Sequence, residues 1–202
     1  MRDFEIRTSL HNKHLSCFWD DGISRVVDEL PICAGVTVAD LAVVNGSLHA
    51  YEIKGTFDTL ARLPKQIISY NKVFDYVTIV TAENHLKAVL ELVPEQCGIW
   101  VMKSVAGTIE KEILRAASRN GNKESLAVSQ LLWKEEAFML LKKYELHKGF
   151  ASKRKWLLWE ALADNLEIEA LSSEIRAIVK NRSDWKISRF RHQPNSETNL
   201  VM

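Results

Sequence analysis

The stretch Val38–Tyr70, VADLAVVNGSLHAYEIKGTFDTLARLPKQIISY, decides how this chain is read. Two apolar runs in it, Val38 to Val44 and Leu48 to Lys54, are separated by Asn45, Gly46 and Ser47, and together they read as a β-hairpin. Side chains alternate across a strand, so Glu52 and Lys54 share one face while Ile53 points to the other. Register matters as much as spacing. A two-residue turn at Asn45-Gly46 sets Asp40 opposite Tyr51 and turns Glu52 away from it. A three-residue loop through Ser47, with Gly46 as the expected left-handed residue, sets Asp40 opposite Glu52. A bulge in either strand does the same.

Asp40 lies among Val38, Ala39, Leu41, Ala42, Val43 and Val44. An unpaired carboxylate in such a strand is costly to desolvate, so it calls for a cation. One arrangement is a hard metal ion held through carboxylate oxygens, with a lysine beside the water that attacks phosphorus. The other is a buried salt bridge from Asp40 to Lys54, which leaves Arg62 or Lys65 to partner Glu52. Downstream, Asp58 or Thr59 starts a helix that tolerates Pro64 in its first turn. On it Arg62, Gln66 and Tyr70 form one stripe, and Leu60, Leu63 and Ile67 face the core with Val73.

These residues resemble the PD-(D/E)XK nuclease superfamily. Ala39-Asp40 stands where that family often has Pro-Asp, and Glu52-Ile53-Lys54 matches its second half-motif. Gln66-Ile67-Ile68-Ser69-Tyr70 is similar to the Gln-x-x-x-Tyr motif of the RecB-type branch. The run from Asp40 to Trp100 also resembles a poorly characterised bacterial family of predicted nucleases. The resemblance implies an α/β, restriction-endonuclease-like mixed sheet flanked by helices. It implies Mg²⁺ or Mn²⁺ held by Asp40, Glu52 and the Ile53 backbone carbonyl, with Lys54 handling the water. Gln66 and Tyr70 then engage the substrate or order the groups around the metal, with Tyr70 a candidate to stack on a base or bond a phosphate, and Arg62 pairs with phosphate. A first helix, read over Asp21 to Leu30 and stopped by Pro31, offers Glu29 as a further metal ligand. The implied activity is that of a Mg²⁺-dependent deoxyribonuclease in repair, recombination or defence against foreign DNA.

Tyr76 to Thr81 and Gly98 to Val105 read as strands with a helix, Glu83 to Leu92, between them. No first strand ahead of the hairpin is evident. From Thr108 strand signals stop, and Ser125–Tyr144, Ser152–Asn165 and Glu167–Asn181 read as helices. The expected organisation is a nuclease-like domain over 1–107, a small helical domain over 108–192 and a polar tail over 193–202.

The net charge of +1 hides an asymmetry: residues 1–107 carry 10 Lys/Arg against 13 Asp/Glu, while residues 108–202 carry 17 against 13. Acids gather where a cation would sit. Bases gather in the helical half, where Lys153, Arg154 and Lys155 beside Trp156, and Arg182 to Arg191 with Trp185 and Phe190, are candidates to meet phosphates and bases. DNA is the expected partner, RNA a second option, and a further protein would supply specificity or motor activity. Cys17, Cys33 and Cys97 are too few for an iron–sulfur cluster and read as reduced, mostly buried thiols. His11 and His14 read as surface residues. No phosphate-binding Gly-Lys-Ser/Thr loop is present, so no nucleotide cofactor is expected. An apolar run of roughly eighteen residues is also missing, which points away from a membrane and toward the cytoplasm. Two competing readings are a catalytically silent nucleic-acid-binding module and a DNA-binding regulator that uses its helical half.

Overall fold

The computed structural model describes residues 1–19 and 21–182. Six strands, β1 (Arg25–Ile32), β2 (Thr37–Val44), β3 (Leu48–Lys54), β4 (Tyr76–Ala82), β5 (Gly98–Val105) and β6 (Thr108–Arg115), form one sheet in sequential order. β1–β2, β2–β3 and β5–β6 pair antiparallel, whereas β3–β4 and β4–β5 pair parallel. The parallel pairs need crossovers, supplied by α2 (Leu63–Asn71) and α3 (Leu86–Leu92). Ahead of the sheet lies α1 (Asp3–Ser9), and after it come α4 (Ser125–Ser129), α5 (Lys134–Lys143), α6 (Lys155–Asn165) and α7 (Ile168–Lys180). The molecule is thus a mixed α/β fold with helices on the sheet and at its C-terminal end. Among the described residues no helix is long and apolar enough to cross a membrane.

The segment read as a helix over Asp21 to Leu30 is instead the edge strand β1, and it is the first strand that the sequence did not reveal. Its apolar spacing misleads for a physical reason. Val27, Leu30 and Ile32 join the core on one sheet face and Val26 joins the core on the other, so Val27 and Leu30 are three apart on one side. Strict alternation forbids that. The switch occurs at Glu29, whose φ of 52° is left-handed, and the result imitates a helical period. Its neighbour β2 breaks step at the same level: Ala39 and Ala42 face one core, Leu41 and Val43 the other. Pro31, which lacks an amide donor, is tolerated because β1 lies at the edge.

The β2–β3 register, Leu41 to Tyr51 through Val44 to Leu48, carries a three-residue loop and sets Asp40 level with Glu52. Gly46 is not left-handed, contrary to expectation. Asn45 shapes the loop through its side-chain oxygen, which accepts the Ser47 N–H at 3.0 Å.

Strand signals do not stop at Thr108. β6 continues the sheet, so the expected border at 107/108 falls in the turn of the β5–β6 hairpin. None of its residues is buried, so it lacks the alternating apolar face that would have marked it. The helix expected over Ser125–Tyr144 is two, α4 and α5, separated around Trp133. Leu171, Ile175 and Val179 on α7, and Leu158 and Leu162 on α6, share one continuous core with Val44, Leu48 and Val77 of the sheet. Buried Asp75 ties the layers together: it accepts from the Leu48 N–H at 2.8 Å, from Lys123 at 2.6 Å and from Arg176 at 3.3 Å. The opposite sheet face is covered by Ile6, Leu10 and Leu15 of the N-terminal segment.

Candidate active site

At the edge of the hairpin an open cleft of about 950 Å³ is lined by Glu29, Asp40, Glu52, Ile53, Lys54, Arg62 and Gln66, among others. β3 delivers Glu52 and Lys54 from one face, and their side chains meet at 2.7 Å in a buried ion pair. α2 then brings Gln66 across both. Its amide donates to Glu52 Oε1 at 2.6 Å, and its carbonyl accepts from Lys54 Nζ at 3.1 Å. Tyr70, one turn on, donates to Glu52 Oε2 and lies 3.2 Å from the Val38 carbonyl. Glu52 is therefore fixed by three donors from two elements.

Asp40 sits where β2 breaks its alternation. Its Oδ2 accepts the Ile53 N–H at 2.8 Å, so the carboxylate takes a donor that the strand ladder would otherwise use. Its Oδ1 accepts from Arg7 at 3.0 Å. Arg7, on α1, is nearly buried and also meets Asp3 at 3.3 Å and Asp28 at 3.6 Å. Arg7 was missed in the sequence. The available signal was a short amphipathic period, Ile6 and Leu10, with the helical Asp3–Arg7 pair beside it.

The pairing differs from the salt bridge contemplated above: Lys54 serves Glu52, and Arg7 serves Asp40. Three further expectations are corrected. Tyr70 is fully buried and cannot stack on a base or reach a phosphate; it anchors Glu52 instead. Arg62 precedes α2 rather than lying within it, because the helix begins at Leu63 with Pro64 in its first turn. His11 is buried against Asp28 at 2.8 Å rather than exposed. As for the thiols, all three are free, Cys97 is buried, Cys33 is half-buried and Cys17 is exposed. Glu29 lines the cleft as an exposed residue of β1. Lys153, Arg154 and Lys155 are exposed at the start of α6 and do not line the cleft. Trp185, Phe190 and Arg191, and the tail over 193–202, fall outside the described residues.

Among the described residues, no three or more His, Cys, Asp and Glu side chains group as a metal cage. The oxygen donors on this cleft are the carboxylates of Asp40 and Glu52, to which the resemblance adds the Ile53 carbonyl. That set suits Mg²⁺, which keeps several waters and takes one or two carboxylates. Each Asp40 oxygen has one protein donor and Glu52 Oε2 has one, so each retains acceptor capacity. Electrostatics agree. Burial first, and then the charge of Glu52, push the Asp40 carboxyl up to about 6.

That shift predicts a pH dependence. The folded protein holds the Asp40 proton more tightly than the unfolded chain, so this group's contribution is full below about pH 4 and lost as pH rises through about 6. His49, pushed down to about 4 by burial, acts in the opposite sense: its contribution is present above its ordinary range and lost as pH falls. Comparing wild type with Asp40→Asn isolates the first effect. Without metal, urea unfolding from pH 4 to 7 should show the variant gaining on wild type as pH rises, by on the order of 2 kcal/mol. Parallel curves would contradict the assignment.

A family profile described as Bacteriophage P4 protein cII matches residues 2–200. Protein cII of Enterobacteria phage P4 is 29% identical over 157 residues, which is 78% of this chain and 59% of that protein's length. The SPO1766 protein of unknown function from Silicibacter pomeroyi is similar in structure over 76% of this chain and 99% of its own, with a TM-score of 0.42 and 12% identity. The match along nearly the whole sequence places this chain in the bacteriophage P4 protein cII family.

Proposed function

We propose that this chain is a divalent-metal-dependent nuclease that hydrolyses DNA phosphodiester bonds, with a PD-(D/E)XK type of site. The observation that carries the reading is the constellation on β2, β3 and α2: Asp40 level with Glu52, and Glu52 locked to Lys54 and Gln66 in an open cleft. Asp40, Glu52 and the Ile53 carbonyl would hold Mg²⁺ or Mn²⁺. The ion supplies positive charge that polarises the phosphoryl group and favours ionisation of the attacking water. Lys54 spends two of its three N–H groups on Glu52 and Gln66, and the third is left for the water or a phosphate oxygen. Its fixed ammonium stabilises the charge that builds as phosphorus is attacked. Gln66 holds the ammonium and the carboxylate in one geometry, and Arg62 and Lys65 at the cleft mouth offer cations to the substrate's phosphates.

One observation favours a silent nucleic-acid-binding module instead: Arg7 and Lys54 already neutralise Asp40 and Glu52. Incubating labelled single- and double-stranded DNA with the protein, with Mg²⁺ or with EDTA, separates the two. A nuclease yields product only with metal; retained binding with no product under either condition supports the silent module. Metal should also raise the melting temperature, since a ligand bound only by the folded state stabilises it. Asp40→Asn should abolish most of that gain.

A further inference from the structure

Between β3 and α2 the chain passes through Gly55–Arg62, and there Phe57 stands 78% exposed. The loop that displays it is firmly pinned. The Gly55 N–H donates to Asp58 at 2.7 Å, the Thr56 N–H to the Met1 carbonyl at 2.8 Å, and Asn84 to the Thr56 carbonyl at 3.0 Å. Gly55 permits this close approach, because a Cβ there would lie 2.9 Å from the Asp3 nitrogen. A phenyl ring is thus held in water by ordered backbone, where burial would otherwise be favoured.

Its surroundings say what it faces. Phe57, Arg2, Asp3, Gly55 and Asp58 line a groove of about 430 Å³ that shares Asp3 and Asp58 with the main cleft. Asp3 is engaged by Arg7, and Asp58 by the Gly55 N–H. Arg2, Arg62 and Lys65 form no ion pair among the described residues. The two hollows adjoin through Asp3 and Asp58, and together they present three cations and an exposed aromatic ring beside the carboxylates of the main cleft. Phe57 is three residues from Lys54, which limits their separation to roughly 10 Å. Cations along a groove with a ring beside them suit a strand whose bases are unpaired, since a duplex hides its base faces.

We propose that Phe57 is a specificity-determining residue on which an unpaired base stacks, while the adjoining phosphates meet Arg2, Arg62 and Lys65, so that the groove takes single-stranded or frayed nucleic acid. This deepens the nuclease reading and rests on it only for the statement that the strand lies at a cleavage site.

The test is binding of the full chain in EDTA, which separates recognition from cleavage. Fluorescence anisotropy would compare a labelled single-stranded oligonucleotide with a hairpin duplex sealed at both ends, using wild type, Phe57→Ala and Phe57→Trp. Because the ring is exposed, the variants should fold, and circular dichroism checks it. Phe57→Ala should weaken single-strand binding by roughly tenfold or more while leaving the sealed duplex within about twofold, and Phe57→Trp should restore it. A 2-aminopurine base in the strand should lose fluorescence on binding wild type and keep it with Phe57→Ala. Equal losses on both substrates, no loss on either, or no binding by wild type would overturn the proposal. Absence of metal-dependent cleavage, with the Phe57-dependent preference intact, would instead defeat the nuclease reading alone.

Discussion

Lys54→Ala should lower the rate of metal-dependent DNA cleavage by roughly 10²- to 10⁴-fold, the range expected when a positioned proton-handling group is lost. Binding of the same DNA in Ca²⁺ should change little, because the ammonium is needed mainly as charge builds in the transition state. The variant also strips Glu52 of its buried counter-ion, leaving it only Gln66 and Tyr70 as side-chain partners. Stability should fall as well, by about 3–5 kcal/mol. Rates must therefore be compared well below the variant's melting temperature. Lys54→Arg separates the effects: it keeps a cation for Glu52 but cannot place a compact ammonium beside the water, so stability should recover more than activity. A Lys54→Ala enzyme that cleaves at the wild-type rate would remove Lys54 from the chemistry.

Ile175→Ala should destabilise the whole protein by about 2–5 kcal/mol and leave a single unfolding transition. Ile175 is 1% exposed and belongs to the same core as the sheet residues Val44, Leu48 and Val77. The Asp75 network with Lys123 and Arg176 reinforces that joint. Denaturant unfolding followed by tryptophan fluorescence and by far-ultraviolet circular dichroism checks the point. Two separated transitions, with only the helical signal shifted, would mean that the helices form an independent unit.

Legibility in the sequence followed how far each signal was local. The hairpin was readable because β2 and β3 are apolar runs flanking a polar loop, and loop length alone sets Asp40 level with Glu52. Gln66 was readable because it precedes Tyr70 by one helical turn. For Tyr70 the choice between substrate and Glu52 was not legible, because its distance from Glu52 depends on how α2 lies against the sheet, which spacing along one helix does not reveal. β1 was read as a helix because a left-handed Glu29 breaks strand alternation, a backbone event with no glycine to announce it. β6 was missed because none of its residues is buried and the charged run Glu110, Lys111 and Glu112 masks the period of an edge strand. Arg7 is the clearest case of information held only in tertiary structure: it lies 33 positions from Asp40, and only the packing of Ile6 and Leu10 under the sheet brings them together.

The central claim is that Asp40 and Glu52 form one cation site. Crystals soaked in Mn²⁺ and measured at the manganese absorption edge test it most directly. An anomalous peak is expected, bonded to carboxylate oxygens of Asp40 and Glu52 and to the Ile53 carbonyl, and lost in Asp40→Asn. A map with no peak there at millimolar Mn²⁺, with Arg7 and Lys54 still paired to the two carboxylates, would contradict it.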